Sequence, residues 1–222
     1  MKILIITDSL GLPRMNDGVT TSWVELLVGK RKEDIVYTYC FPGLSIQHLL
    51  YQDQPGYRWM AAWKPDIIVI QMGVVDAVRR ALNNVERNFL KKAPKYVIGV
   101  VRKILSGNHY RLSKVRDIHL GSIEDYTFFI NDLKKNAGCP IVFIKIAPPG
   151  KRMRENTHNA ECDIKRYNDA IESFADETFL FLNPYRNDEV DSLMLEDGHH
   201  LNREGVMKVF EAVNNAIEDI MS

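Results

Sequence analysis

Short apolar runs alternate with longer amphipathic stretches along most of this chain. Each run is rich in Ile, Val, Tyr and Phe, has the length of one strand, and precedes residues with helical spacing. This alternation is typical of β-α-β units, in which parallel strands form one sheet that helices cover on both faces. We predict an α/β fold with five strands, at Lys2–Thr7, Asp34–Cys40, Asp66–Gln71, Pro140–Ile146 and Thr178–Leu182.

The helical segments are predicted from the same periodicity, and the last of them has an apolar stripe that suits packing on the sheet. They are Thr20–Lys30, Ser45–Gln52, Ser122–Asn136, Asn159–Ala175 and Arg203–Ile220. The stretch at about 77–121 is too long for a simple crossover, so we predict a basic helical insertion there with an extra helix around Pro94–Leu105. With 222 residues, the chain suits a single domain.

The charges cancel overall but are unevenly distributed, since the formal net charge is zero. Between Arg79 and Arg116 the only acidic residue is Glu86, which indicates one basic surface. The cysteines Cys40, Cys139 and Cys162 are odd in number and lack the spacing of metal ligands. We expect them to be reduced and buried, and we expect neither a metal nor a cofactor.

The N-terminal apolar run bears on localisation. Ile3 to Ile6 is only as long as a strand, and cleavage after it would remove the polar residues that follow. No run of about 18 apolar residues suits a transmembrane helix. We therefore predict a cytoplasmic protein.

A serine and a histidine at opposite ends of the chain suggest acyl-transfer chemistry. Ser9 follows the first predicted strand, and the segment from Asp197 to His200 lies near the C-terminus. A serine hydroxyl needs a base to accept its proton, and that base needs an acid that fixes its tautomer. We predict that Ser9 is the nucleophile, His200 the base and Asp197 the orienting acid, with the adjacent His199 as the rival base.

Four sequence blocks in order along the chain resemble those of the GDSL or SGNH hydrolase family. The first block is Gly-Asp-Ser-Leu in the family and begins with Thr7 here, and the second is a glycine matched by Gly43. The third is Gly-x-Asn-Asp, for which the chain has Gly73, Val74, Val75 and Asp76. The fourth is Asp-x-x-His, matched by Asp197 and His200, and this spacing selects His200 over His199.

The resemblance implies a three-layer, flavodoxin-like (SGNH hydrolase) fold and an oxyanion hole with three donors. These donors are the backbone amides of Ser9 and Gly43 and an asparagine side chain at the position of Val75. Valine cannot donate, and loss of one such donor typically lowers turnover by about 10² to 10³. Substitutes near in sequence are Gln71, Asn83 and Asn84, with nothing in the sequence to choose among them.

Further residues near these blocks are candidate substrate contacts. They are Asp8, Gly73, Val75, Asp76, Arg79, Arg80 and His199. Asp76 equally suits a structural role in which its carboxylate accepts loop amides. Arg79, Arg80 and Arg14 suit either an anionic substrate group or the solvent. The Pro148-Pro149-Gly150 segment indicates a stiff loop that rims the cleft or merely connects two elements.

The function predicted from these residues is hydrolysis of a small acyl ester through an acyl-serine intermediate. The family includes carbohydrate O-acetylesterases, so an acetyl group on a carbohydrate or a surface-glycan precursor is the expected substrate, by analogy. The alternatives are an O-acyltransferase that acts on a glycan, and a glycan-binding pseudoenzyme that has lost the donor at Val75. Nucleic-acid binding is not expected, because no stacking aromatics form a recognisable motif.

The basic segment suggests two further possibilities. An apolar stripe beside Lys95, Arg102 and Lys103 resembles an interfacial helix, which predicts a weak contact with an anionic membrane surface or a flap that attracts an anionic substrate. The competing interpretation is a helix packed on the domain or on a second subunit of a homo-oligomer.

Overall fold

Five parallel strands form the centre of the molecule, as a computed structural model that describes residues 1–52, 63–186 and 189–221 shows. The sheet has the order β2-β1-β3-β4-β5, which confirms the α/β, flavodoxin-like prediction. The strands are β1 (Lys2–Thr7), β2 (Ile35–Cys40), β3 (Ile67–Gln71), β4 (Ile141–Ile144) and β5 (Phe179–Leu182).

Helices cover the sheet. They are α1 (Trp23–Lys30), α2 (Val74–Ala77), α3 (Asn84–Lys91), α4 (Lys95–Gly107), α5 (His109–Val115), α6 (Ile123–Ala137), α7 (Lys151–Asn156), α8 (Ala160–Glu172), α9 (Val190–Leu193) and α10 (Arg203–Met221). Helix α1 packs against α10, and α6 packs against α8. Because the strand order reverses direction at β1, right-handed crossovers place these two pairs on opposite faces of the sheet. The predicted helix at Ser45–Gln52 is a short helical segment that ends in a π-helical turn at His48–Gln52.

The strand register brings the ends of three strands together. Thr7, the last residue of β1, lies beside Cys40 of β2 and Gln71 of β3. The loops that follow these strands carry Ser9, Gly43 and Gly73, so all three leave the sheet at one edge. Ligands of open parallel sheets bind at this carboxyl edge, beside the point where the strand order reverses.

The hydrophobic core is centred on the inner strands. The side chains of Ile3–Ile6, Ile67–Ile70 and Ile141–Ile144 are buried. The expectation that every strand is covered on both faces is wrong for β2, where Ile35 is 60% exposed. Strand β2 is at the edge of the sheet and pairs with β1 alone among the described strands. Cys40 and Cys139 are half-buried free thiols, but Cys162 is exposed on α8, which corrects the expectation of three buried cysteines.

The predicted insertion contains α3, α4 and α5, and the extra helix predicted around Pro94–Leu105 is α4. This segment is held to the domain mainly through its C-terminal end. Ser113 is buried and accepts a hydrogen bond from the His158 amide, while the Arg116 guanidinium donates to the Ala81 carbonyl at 2.7 Å. Helices α3 and α4 have no fully buried residue, and their apolar side chains Val85, Phe89, Tyr96, Val100 and Ile104 are exposed.

Candidate active site

The loop after β1 presents Ser9 at the carboxyl edge of the sheet. Ser9–Gly11 form a single 3₁₀ turn, and the Asp8 carboxylate caps this turn by accepting a hydrogen bond from the Leu10 amide at 2.9 Å. Asp8 is completely buried, whereas Ser9 is partly exposed. The serine is therefore fixed from below and open to the cleft above.

Gly11 explains how the chain accommodates threonine in place of the family's first motif glycine. The Thr7 side chain is fully buried, and a Cβ atom added at Gly11 would lie 2.1 Å from Thr7 Cγ2. The threonine methyl thus occupies space that a side chain at position 11 would otherwise need. Thr7 does not displace the turn that carries Ser9, because the residue opposite it has no side chain.

His200 reaches Ser9 from the loop between α9 and α10. Its Nε2 atom lies 3.0 Å from Ser9 Oγ, and its Nδ1 atom lies 2.6 Å from Asp197 Oδ2. The second carboxylate oxygen of Asp197 accepts the backbone amides of His199 and His200, each at 3.0 Å. In the tautomer that donates Nδ1–H to Asp197, Nε2 is free to accept the serine proton. The structure brings the three predicted residues together in this order.

The electrostatics of this loop suit a permanent negative charge on Asp197. Burial alone would raise the pKa of Asp197, but hydrogen bonds from the His200 ring and from the two backbone amides hold it well below its usual range. Arg14 Nη2 lies 3.9 Å from the same carboxylate. An ionised Asp197 stabilises the imidazolium that forms when His200 takes a proton.

His199 has the position of a cleft residue rather than that of the base. Its ring lies against the His200 ring with the centroids 4.0 Å apart, and burial followed by the nearby His200 lowers its pKa. The Ser9 hydroxyl is hydrogen-bonded to His200 and not to His199. The geometry therefore agrees with the family spacing.

The loops around Ser9 and Gly43 leave two backbone amides available. Neither the Ser9 nor the Gly43 amide donates a hydrogen bond to another residue of the described ranges. Gly43 adopts a left-handed conformation with φ of 72°. Val75 packs partly against the hydrophobic core and supplies no side-chain donor.

The structure separates the three substitutes for the missing donor. Gln71 is buried, where it accepts from Trp23 Nε1 at 2.6 Å and donates to the Tyr185 hydroxyl at 3.1 Å. Asn83 caps α3 by accepting the Glu86 amide at 2.8 Å. Asn84 alone of the three borders the same cavity as Gly43.

A buried polar layer lies beneath the serine. The Asp76 carboxylate accepts the Ile46 amide at 3.0 Å and the Tyr126 hydroxyl at 2.8 Å. Burial raises the pKa values of Asp8 and Asp76 to about 7, although their hydrogen bonds act in the opposite direction. These carboxyl groups therefore carry less negative charge than exposed ones would, which favours an anion developing above them.

Several of the predicted substrate contacts are buried or bind other residues of the protein. Asp8 and Asp76 are fully buried, and Gly73 is enclosed against the Ile146 side chain. The Arg79 guanidinium binds the buried Asp163 carboxylate at 2.7 Å and is 3.2 Å from Asp117, so it links the segment after α2 to α8. Sequence analysis did not identify this pair, since the two residues are 84 positions apart.

Arg80 is near the site but turned inward. Its guanidinium donates to the Val75 carbonyl at 2.8 Å, and burial lowers its pKa, with the charge of Arg87 acting in the same direction. The charge of Arg80 also contributes to the lowered pKa of His199. Arg80 thus supports the loop that carries Val75 and adds positive potential to the cleft.

In the described part of the chain, Asp197, His199 and His200 are the one group of residues that could hold a metal ion. Their donor atoms lie within 4.8 Å of one another. The Asp197 and His200 atoms are already hydrogen-bonded to each other and to Ser9, so this geometry suits proton transfer.

Comparisons with known proteins identify the family and the fold. Residues 6–207 match the model of the GDSL-like lipase/acylhydrolase family. No match to a curated protein is found. Among solved structures, an acetylxylan esterase from Geobacillus stearothermophilus is similar, with a TM-score of 0.63 and 16% identity over 97% of this chain and 93% of that chain.

Two further solved structures have the same fold. A GDSL-like lipase from Bacteroides thetaiotaomicron has a TM-score of 0.55 and 14% identity over 98% of this chain and 88% of its own. An α/β hydrolase from the metagenome of Lake Arreo, Spain, has a TM-score of 0.59 and 16% identity over 100% and 96% of the two chains. At such low identity these likenesses establish the fold alone.

Proposed function

The chain belongs to the GDSL-like lipase/acylhydrolase family, and from this premise we propose that it hydrolyses a small acyl ester through an acyl-Ser9 intermediate. The observation that carries the proposal is the continuous hydrogen-bonded chain from Asp197 through His200 to Ser9. Nucleophile and base are within the distance that proton transfer needs, and the base is oriented by a third group.

The proposed reaction has two halves. Ser9 Oγ attacks the ester carbonyl while His200 takes the serine proton, and the tetrahedral intermediate collapses when His200 returns that proton to the leaving alcohol. Water then attacks the acyl-serine, with His200 again as the base, and releases the acid and free Ser9. No cofactor or metal takes part in these steps.

The oxyanion of each intermediate needs hydrogen-bond donors. We assign this role to the backbone amides of Ser9 and Gly43, both without a partner among the described residues. Asn84 is the proposed third donor, because it borders the same cavity as Gly43. The Val75 side chain has no hydrogen-bond donor. A donor aimed at the developing charge contributes about 3 kcal/mol to transition-state stabilisation.

The proposed substrate is an acetyl ester on a carbohydrate or a surface-glycan precursor. The family match supports acyl ester chemistry, and the fold likeness to an acetylxylan esterase gives an analogy for the carbohydrate. An O-acyltransferase would use the same acyl-serine with a glycan alcohol in place of water. A glycan-binding pseudoenzyme would keep the cleft without forming the acyl-serine.

A fluorophosphonate probe tests the proposal directly. The reagent should add to Ser9 alone, and Ser9→Ala and His200→Ala should each abolish the adduct, as intact-protein and peptide mass spectrometry would report. Ser106→Ala and His158→Ala are matched controls outside the cleft and should label like the wild type. An unlabelled wild-type protein, or an adduct that persists in His200→Ala, would favour the pseudoenzyme.

The localisation of the protein and its macromolecular partners remain predictions. Among the described residues, no helix combines the length and the apolar character that crossing a membrane requires. We propose a cytoplasmic protein that does not bind nucleic acid. The exposed apolar side chains of α3 and α4 are where the predicted membrane-surface contact or homo-oligomer would form, and vesicle co-sedimentation and sedimentation equilibrium would test these two predictions.

A further inference from the structure

A cavity of about 270 Å³ adjoins the proposed oxyanion hole. Its lining combines Gly43 and His48, from the segment after β2, with Asn84, Arg87, Asn88 and Lys91 of α3. A Cβ atom added at Gly43 would meet nothing within 4 Å, so the space beside this glycine is open. The cavity and the proposed oxyanion hole therefore share Gly43.

One face of α3 provides most of the polar lining. The four lining residues occupy positions i, i+3, i+4 and i+7 of this helix, so they lie on one face. The one acidic residue of α3, Glu86, is directed elsewhere and binds the Arg116 guanidinium at 2.7 Å. No carboxylate from the described residues lines the cavity.

The two cations in the lining, Arg87 and Lys91, have no counter-charge among the residues that the structure describes. Arg87 and Lys91 form no ion pair with any residue that the structure describes, in contrast to Arg79 and Arg116 of the same basic segment. The charge of Arg87 also acts on Arg80. Burial is the main cause that lowers the pKa of Arg80, and the charge of Arg87 lowers it further. Like charges that converge on a small concave space repel one another, and a bound anion relieves this repulsion.

We propose that this cavity binds an anionic group, a carboxylate or a phosphate, carried by the ester that Ser9 attacks. The inference rests on the proposed function and narrows its substrate class to negatively charged esters. The planar Arg87 guanidinium can bind two oxygens of such a group, and Lys91 supplies a compact charge. His48 and Asn88 are placed to contact the remaining oxygens or the neighbouring hydroxyl groups.

Direct binding to a Ser9→Ala protein tests the cavity without turnover. Isothermal titration should detect glucose 6-phosphate and glucuronate, which carry the two kinds of anion, and should detect glucose at least tenfold more weakly. Replacing both cations, Arg87→Gln with Lys91→Gln, should weaken the two anionic sugars at least tenfold. Lys92→Gln removes the neighbouring charge outside the cavity and should leave both affinities unchanged. The proposal would be overturned if all three sugars bound equally, or if the double substitution left the affinities for the anionic sugars unchanged.

A competition experiment connects the cavity to the serine. Glucose 6-phosphate or glucuronate should slow fluorophosphonate labelling of wild-type Ser9, whereas glucose at the same concentration should not. If Ser9 is not labelled but the anionic sugars still bind, the proposed hydrolase activity is wrong and the proposed anion site is supported. If Ser9 is labelled normally and no anionic sugar slows the labelling, the proposed anion site is wrong and the proposed hydrolase activity is supported.

Discussion

The sheet with its catalytic loops and the helical segment at 84–115 are built in opposite ways. In the sheet, the inner strands are buried, and the loops that carry Ser9 and His200 are fixed by hydrogen bonds to buried or backbone groups. In the segment, Phe89 is 80% exposed and neither α3 nor α4 has a fully buried residue. The comparison suggests that the sheet holds the reacting groups, whereas the segment supplies a surface that recognises the substrate.

A matched pair of phenylalanines tests this division most strongly. Phe129 of α6 is completely buried and Phe89 of α3 is exposed. Phe129→Ala should lower the free energy of unfolding by about 3 to 5 kcal/mol, because it leaves a cavity in the core. Phe89→Ala should change it by less than about 0.5 kcal/mol. Urea denaturation followed by circular dichroism measures both values, and a large loss in Phe89→Ala would show that the segment is packed in solution.

The contact between Thr7 and Gly11 provides a second test, inside the catalytic region. Gly11→Ala should destabilise the protein by about 1 to 3 kcal/mol through overpacking. It should also lower turnover of a small acetyl ester by about 10²-fold, because a shift of the Ser9 turn misaligns the nucleophile. Adding Thr7→Gly makes room for the new methyl group and should restore most of both losses. A double variant no better than Gly11→Ala would contradict the compensation.

Substitutions at Val75 and Asn84 test how the catalytic loops and the helical segment at 84–115 each contribute to the oxyanion hole. Because Asn84 is the proposed third donor, Val75→Asn alone should raise turnover of a small acetyl ester only slightly, and its larger effect should appear when Asn84 is removed. Asn84→Ala should lower turnover, and Val75→Asn in that background should recover part of it. Val85→Asn, on the exposed face of α3, is the control and should have no effect. Unchanged turnover in a folded Asn84→Ala protein would mean that the site uses a different set of donors.

The sheet and the triad could be predicted because their signals are local. Strand β1 is an apolar run that ends at Thr7, two residues before the serine, and Asp197 and His200 are three positions apart. Both signals survive in a single sequence, since they depend on neighbours along the chain. The fold and the grouping of Ser9 with His200 followed from these signals together with the resemblance of four sequence blocks to the GDSL or SGNH hydrolase family.

The remaining features depend on contacts between distant residues. The pairing of Arg79 with Asp163 and the burial of Asp76 under Tyr126 are set by how helices cross, which periodicity does not encode. Gly11 carries a faint signal, as a glycine four residues after a motif position that has lost one. The basic lining of the cavity was visible as charge, but not which of the basic residues were already paired.

A backbone contact links the base to the loop that follows β4. The Gly150 amide donates to the Gly198 carbonyl at 2.8 Å, and a Cβ atom added at Gly150 would lie 2.9 Å from Gly198 Cα. Two prolines, Pro148 and Pro149, precede this contact and restrict the backbone there.

The contact between Gly150 and Gly198 therefore allows the proline segment to restrict the motion of the loop that carries His200. The conformational entropy of orienting the imidazole is lost once, during folding, and not again in each catalytic cycle. A change as remote as a longer connection after β4 would reach the reaction through this contact, as a loss of order in the base.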